Sequence, residues 1–370
     1  MSDRSSSNSE LSDILDESAN HPRIRTPSEA QTWYKYAGDS ESWLASDPEN
    51  DIRSAPSTFA VLTWNIDFSR DLPVHRLKTV LNHLESELLG DPSPRPTIIL
   101  FQEVHKSCFH TLLSHPFVRS RFQVTDISPS KWPGSIQYGT VTLIPNSIAS
   151  IVSVFRTPFS SSRMGRDALY VDFEFLQRDS DSMNLETRRK IKIRVANAHL
   201  ESLLGYGDKA RPAQLKSISQ LISSPGIYGG IVGGDMNAIS PSDLHLPEQV
   251  GLSDAWTLTH STSVVATSKE ETDSNISLAN QISSDADSYT WGYQPPSRFP
   301  PGRLDKILFV GGLKVDGIRR VGVGLKYERP PGIRLGPDRP LWASDHYGLL
   351  ANFTLVEQDT DPANIPAPVD

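Results

Sequence analysis

Apolar positions recur along the chain in two patterns. From Thr58 onward, short continuous or alternating apolar runs predict strands at FAVLTW, TIILFQ, YGTVTLI, SIVSVF, ALYVDFEF, IKIRVANAHL, GGIVGGD, RLDKILFV and YGLLANFTL. Between the first two, DLPVHRLKTVLNHLESELL spaces its leucines and valines for one face of a helix, and KARPAQLKSISQLI does so further on. TIILFQ has no polar alternation, the pattern of a strand covered on both faces. Strands outnumber helices and several follow one another directly. The expected fold is therefore α/β (α+β), two packed mixed β-sheets flanked by helices in a four-layer sandwich, spanning residues 58–356.

The flanks read differently. Residues 1–30 are rich in Ser, Asp and Glu, too poor in apolar groups to offset the entropy of ordering, and are expected to be a disordered acidic tail. Residues 31–57 place Trp33, Tyr34, Tyr36 and Trp43 close together, more aromatic surface than a solvated tail carries, so this segment is expected to dock on the body. The stretch 260–288 holds 11 Ser or Thr in the 28 residues that follow His260, without periodicity, and is expected to be a disordered loop. Residues 357–370 form an acidic C-terminal tail.

Composition narrows the class. Of 370 residues, 37% are hydrophobic and 22% charged, and no apolar run nears the roughly 18 residues that cross a bilayer, so a globular protein with no membrane role is expected. The polar start MSDRSSSNSELSD marks no secretion signal. The single cysteine, Cys108, excludes an internal disulfide and a cysteine-cluster zinc site and reads as a small buried hydrophobe, fitting a reducing compartment. Net charge is −8, but residues 1–50 hold 4 basic and 10 acidic residues and residues 357–370 hold 4 acidic and none basic. Residues 51–356, with 32 basic and 30 acidic side chains, can therefore carry a basic groove despite the acidic total. The basic run TRRKIKIR (187–194) reads as the start of a strand, not an import signal.

Five segments end in polar or acidic residues: TWNID (63–67), FQEV (101–104), NAHLES (197–202), GGDMNA (233–238) and SDHYG (344–348). Singly, each is an ordinary turn. Together they supply the carboxylates Glu103, Asp235 and Asp345, the amides Asn65 and Asn237, and the imidazoles His199 and His346. All are expected at C-terminal ends of strands, where α/β sheets assemble sites.

TWNID, FQEV, HLES, GGDMN and SDHYGLL, in that order and with SSRMGRDAL, QLKSISQLI, YTWG and RLDKILF between them, resemble the DNase I-like endonuclease/exonuclease/phosphatase superfamily over residues 58–356. Within it they are most similar to the 5′-tyrosyl-DNA phosphodiesterases. The resemblance implies a DNase I-like fold and a Mg²⁺-dependent phosphodiesterase, with Mn²⁺ as a substitute. Its substrate would be a single-stranded DNA 5′ end carrying a tyrosyl or peptide adduct left by a topoisomerase. A role in DNA repair, a nuclear location that leaves room for the cytoplasm, and a monomeric chain go with that substrate.

Chemistry and resemblance agree on roles. Phosphodiester hydrolysis needs charge neutralised on the non-bridging oxygens and a water placed in line with the leaving oxygen. Glu103 is the expected direct Mg²⁺ ligand, with Asn65 and Asp345 completing its oxygen and water shell. Asp235 would orient and deprotonate the attacking water, Asn237 would fix that water or a phosphate oxygen, and His199 and His346 would donate to the phosphoryl oxygens. Asp305, in RLDKILF, matches the family carboxylate that orients the histidine of SDH, here His346. Arg166, Tyr138 and Trp291 are the expected substrate contacts, with Lys131, Arg163, Arg298, Arg303, Arg339 and Trp342 as further groove residues. His75, His110 and His115 are expected to be surface or helix residues without a role, and Trp64 and Trp256 to be core.

Where the tyrosyl-DNA branch follows its Gly-Asp-x-Asn with leucine and arginine, this chain has Ala238 and Ile239. That departure keeps open a general DNA or RNA nuclease and a small-molecule phosphoesterase of the inositol phosphate type. An inactive scaffold fits least, since Asn65, Glu103, His199, Asp235, Asn237, Asp345 and His346 are all present.

Overall fold

In the computed structural model, which describes residues 28–48, 56, 58–90, 94–134, 137–148, 150–178, 188–260, 286–333 and 340–356, the apolar run of β5 (Thr97–His105) lies in the middle of a sheet. Ile98 and Leu100 face an opposing sheet while Ile99 and Phe101 face a helical layer, which is why the run shows no polar alternation. Its parallel neighbour β4 (Thr58–Asn65) does the same, with Val61 turned inward and Leu62 and Trp64 outward.

The first sheet runs β14 (Leu313–Val321), β15 (Gly348–Leu355), β4, β5, β7 (Tyr138–Pro145), β6 (Phe122–Val124), β2 (Trp33–Ala37) and β3 (Ser42–Ser46). The second runs β1 (Glu29–Gln31), β8 (Ile151–Pro158), β9 (Asp167–Arg178), β10 (Arg188–His199), β11 (Gly229–Asp235), β13 (Asp305–Gly311) and β12 (Ser253–Asp254). On the outer face of the first sheet lie α1 (Pro73–Leu89), α2 (Phe109–Ser114) and α3 (Pro116–Arg121), and on the outer face of the second lie α4 (Tyr206–Ile222) and α5 (Leu246–Gln249). This is the expected four-layer α/β/β/α sandwich of two mixed sheets. In α1, proline opens the helix, and Leu77, Val80, Leu81 and Leu84 recur at the spacing of one buried face.

The sheets pack through Val61, Leu100, Val195, Ile231 and Ile307, among others. At Gly233 a Cβ would lie 2.7 Å from Leu100 Cδ1 of the opposing sheet, so a side chain on the strand leading to Asp235 would displace Leu100 from the core. A polar bridge crosses the same layer: Gln102 Nε2 donates to Thr63 Oγ1 (2.9 Å) and Asn197 Oδ1 (2.8 Å), and Asn197 Nδ2 donates to the carbonyls of Phe101 and Val141. Through these bonds, which leave only Gln102 Oε1 of the two amides without a partner, the network ties the two sheets together just beneath the site.

The aromatic segment forms β2 and β3 at the edge of the first sheet, with Trp33 buried in the inter-sheet core. Ordered chain begins before residue 31, because Glu29–Gln31 pairs through its backbone with β8 whatever its side chains. At the other end of the Ser/Thr-rich stretch, residues 286–288 form a helical turn held by Arg320, which donates to the carbonyls of Ala286 and Tyr289. The rest of that stretch (261–285) and the tails at 1–27 and 357–370 lie outside the described residues. His115 is buried, its Nε2 3.0 Å from Asn82 Oδ1, because it occupies the junction of α2 and α3.

Candidate active site

Four strands end together at one edge of the sandwich: β4 at Asn65, β5 just past Glu103, β10 at His199 and β11 at Asp235. Asp305, Asp345 and His346 reach the same edge from the other direction. Asp305 begins β13, directly opposite Asp235 in register, and SDHYG leads into β15. The expectation that all these groups sit at C-terminal strand ends is thus corrected for Asp345 and His346. β15 runs antiparallel to β4, so its start lies beside the end of β4.

Asp235 is the centre. Its Oδ2 accepts from Asn65 Nδ2 at 3.0 Å and lies 3.5 Å from His199 Nε2 and 3.9 Å from His346 Nε2. Its Oδ1 accepts from the Asn237 backbone N–H at 2.8 Å. Burial, with the charge of Asp305 adding and His346 opposing, pushes the Asp235 carboxyl up to about 6, close to where a general base works best at neutral pH. Asn237 is held in turn, its Nδ2 donating to the Leu200 carbonyl at 3.0 Å.

The two imidazoles are set in opposite states. His346 Nδ1 is 2.7 Å from Asp305 Oδ2. Burial works against its charge, but Asp305, Asp345 and Asp235 outweigh burial and hold the ring protonated well above its ordinary range. The buried guanidinium of Arg166 donates to His199 Nδ1 at 2.6 Å, which leaves the ring proton on Nε2, the nitrogen facing Asp235. Burial, then the charges of Arg166 and His346, hold His199 neutral. Both Nε2 atoms are therefore N–H donors aimed at one shared space, suited to a phosphoryl group.

Glu103 sits in a β-bulge of β5, where pairing with β7 slips between Phe101 and Val104, and its φ is +56°. That strained turn re-aims the carboxylate from the strand face into the site. Its Oε2 accepts from the Phe68 backbone N–H at 3.1 Å, and its Oε1 lies 3.7 Å from His199 Nε2. Burial first, and then the charges of Asp345 and Asp235 against those of Arg166 and His346, push Glu103 up to about 7. Asp345, raised by burial and by Asp67, accepts from Trp291 Nε1 at 3.3 Å.

Carboxylates held out of solvent by burial, presenting hard oxygen donors and neither thiol nor free imidazole nitrogen, fit a divalent cation. A second grouping, Asp235, Asp305 and His346, brings its candidate ligand atoms within 4.8 Å. Its 2.7 Å hydrogen bond already occupies His346 Nδ1 and Asp305 Oδ2. The face formed by Glu103 and Asp345 suits a hard ion better.

Of the expected substrate contacts, Arg166 lies over the Tyr138 ring at 5.4 Å, and Trp291 borders the site through Asp345. Lys131, Arg163 and Arg298 are exposed, whereas Arg303 is tied to Asp254 at 2.9 Å and is not free to line a groove; Arg339 lies outside the described residues. Trp342 carries Lys326 over its ring, and Trp64 is buried with its Nε1 donating to the His346 carbonyl at 3.0 Å.

Sequence reasoning missed three supports. Phe68 stacks on Tyr138 at 3.7 Å and holds Glu103 through its N–H. Glu201, inside the HLES motif, accepts from Ser162 Oγ (2.7 Å) and the Arg163 N–H (2.9 Å), fixing the loop that carries Arg166. Arg76, buried on α1, donates to the carbonyls of Ile66, Asp67 and Ala343, joining the loop after β4 to the one before β15. Only Glu201 had a signal, its place in a motif.

A buried carboxylate flanked by two imidazole donors and an all-oxygen cation face is the equipment of a metal-dependent phosphoester hydrolase. Residues 62–346 match the model of the endonuclease/exonuclease/phosphatase family, and the chain belongs to that family, whose members use a divalent metal. Among solved structures it is similar to TDP2 from Caenorhabditis elegans (19% identity over 80% of this chain and 74% of that one, TM-score 0.53). It is similar also to D. rerio TDP2 complexed with a single-strand DNA product (17%, covering 81% and 100%, TM-score 0.53). An endonuclease/exonuclease/phosphatase from Bacteroides vulgatus has the same fold (15%, covering 81% and 100%, TM-score 0.52). No curated protein sequence matches the chain.

Proposed function

We propose that the chain is a Mg²⁺-dependent phosphodiesterase that hydrolyses the bond between a tyrosine and the 5′-phosphate of single-stranded DNA. The observation that carries this reading is the seat of Asp235: one carboxylate held by Asn65 and Asn237 between the Nε2–H groups of His199 and His346. The likeness to TDP2 structures, one with a single-strand DNA product, supports the choice of substrate.

Glu103 and Asp345 would hold the metal, with Asn65 beside them, and the metal would neutralise charge on the phosphate and leaving oxygens. Asp235 takes a proton from a water, whose oxygen forms the new bond to phosphorus as the bond from phosphorus to the tyrosyl oxygen breaks. His199 and protonated His346 donate to the phosphoryl oxygens, Asp305 keeps His346 charged, and Arg166 keeps the His199 proton on Nε2. The tyrosine leaves as a phenolate, whose conjugate acid has a pKa of about 10, so no strong general acid is needed. A 5′-phosphate remains on the strand. A role in removing topoisomerase adducts, and with it a nuclear location, belongs to the same proposal.

Incubation of a 5′-phosphotyrosyl oligonucleotide with the full chain and Mg²⁺ in ¹⁸O-water tests it. Free unlabelled tyrosine and a 5′-phosphorylated strand carrying one ¹⁸O are expected. Internal cuts or release of inorganic phosphate would contradict it.

A further inference from the structure

Two loops leave the second sheet at the edge that carries the site, residues 200–205 after His199 and 236–245 after Asp235. They hold apolar side chains out to solvent: Leu203 is 65% exposed, Leu204 68%, Ile239 39% and Leu244 62%. Clustered apolar exposure on a folded surface marks a binding role more often than chance.

The display is built in rather than frayed. Arg211, fully buried on α4, donates to the carbonyls of Leu203 (3.0 Å) and Glu201 (3.2 Å) in one loop and pairs with Asp243 (2.8 Å) in the other. It thereby clamps the two loops side by side and holds Leu203 at φ +68°, a left-handed conformation unfavourable for leucine. The rim's backbone groups are turned inward. The Leu203 carbonyl is used by Arg211, and the N–H groups of Gly205, Ile239, Ser240 and Leu244 donate to Asp208, Asn237, Asp243 and Pro241. An extended peptide would need such groups free for pairing. The flat face of a nucleobase needs only apolar contact. Beside Leu204, the guanidinium of exposed Arg163 rests 3.8 Å over the Tyr206 ring, a cation within reach of a strand's phosphates.

We propose that Leu203, Leu204 and Ile239 form an apolar rim on which the bases next to the bound 5′-phosphate rest, with Arg163 meeting the sugar-phosphate backbone. The proposal rests on the nucleic-acid reading of the site and names the part of the substrate that the rim recognises. It explains why Ile239, two residues from Asn237, carries no charge.

The test is anisotropy-monitored binding of a short 5′-phosphorylated oligothymidine, the uncleaved product, against a strand of equal length in which every base is replaced by an abasic spacer. The full chain is expected to bind the base-bearing strand about tenfold more tightly, the scale of contact for one or two bases. The exposed double substitution Leu204→Ser with Ile239→Ser is expected to cut that preference below about threefold. Equal affinity of the wild-type chain for the two strands, no binding of either, or a preference that survives the double substitution overturns the proposal. Because nothing is cleaved, failure to release tyrosine from a phosphotyrosyl end would refute the substrate assignment without deciding this result.

Discussion

Glu103→Gln separates the cost of the site from its use. In the metal-free protein the Glu103 carboxyl is pushed from 4.5 to about 7, so the folded state holds its proton more tightly than the unfolded state. For such a group, stability is full below the unfolded value and is lost as pH rises toward the folded one. A gap of about 2.5 units amounts to about 3 kcal/mol, lost between about pH 4.5 and pH 7. Glutamine never ionises, and its amide oxygen can still accept the Phe68 N–H. In EDTA at pH 8 the variant is therefore expected to melt about 6 °C above the wild type, at roughly 2 °C per kcal/mol for a domain of this size. Below pH 4.5 the two should melt together. Adding Mg²⁺ at pH 8 to about 1,000 times Kd should reverse the order, since binding then stabilises the wild type by about 4.1 kcal/mol while the variant has lost a ligand. Differential scanning calorimetry at several pH values, with and without Mg²⁺, gives all four numbers. A variant that melts at or below the wild type in EDTA at pH 8, or that keeps the full Mg²⁺ shift, would refute Glu103 as a crowded carboxylate awaiting a cation.

Other substitutions test the remaining roles. Asp235→Asn is expected to leave the melting temperature of the Mg²⁺-loaded protein within a few degrees while turnover falls by about 10² or more, the scale of a lost general base; near-normal turnover would remove Asp235 from that role. In the wild type, activity should rise with pH through about 6 as Asp235 ionises and fall only at alkaline pH, when His346 loses its proton. Asp305→Asn withdraws the charge that keeps His346 protonated, so it should shift the alkaline limb of the pH–rate profile to lower pH; an unmoved limb would disprove the pairing. Arg166→Met should release the His199 proton to distribute between both nitrogens, visible in ¹⁵N NMR of the ring, with turnover reduced about tenfold; a ring still protonated on Nε2 alone would contradict the Arg166 assignment.

Much of the sandwich was legible because its central strands are buried on both faces. TIILFQ and FAVLTW carry that burial in their composition, and α1 shows its buried stripe at helical spacing. What could not be read had its cause elsewhere. Glu29–Gln31 joins the second sheet through backbone hydrogen bonds that no side-chain pattern records. β14, with buried residues mixed among exposed ones, is an edge strand whose sequence lacks a clean alternation. In the site, the polar strand ends identified the residues, but not that Glu103 enters through a positive φ or that Asp345 and His346 stand at the start of β15. Nor does a local pattern connect Phe68 to Tyr138, or Arg76 to the Ala343 carbonyl, across 267 residues. These are tertiary contacts, and spacing along the chain carries no signal for them.

The most direct measurement of the central claim compares kcat/KM, with Mg²⁺, for a 5′-phosphotyrosyl single-stranded oligonucleotide, the same strand with a plain 5′ end, and an inositol polyphosphate. Tyrosine release is predicted to exceed internal cleavage and inositol phosphate turnover by about 10² or more, a transition-state preference of about 2.7 kcal/mol. A phosphotyrosyl end left intact while either of the other substrates is consumed would contradict the account, assigning the same metal-dependent site to a different phosphoester.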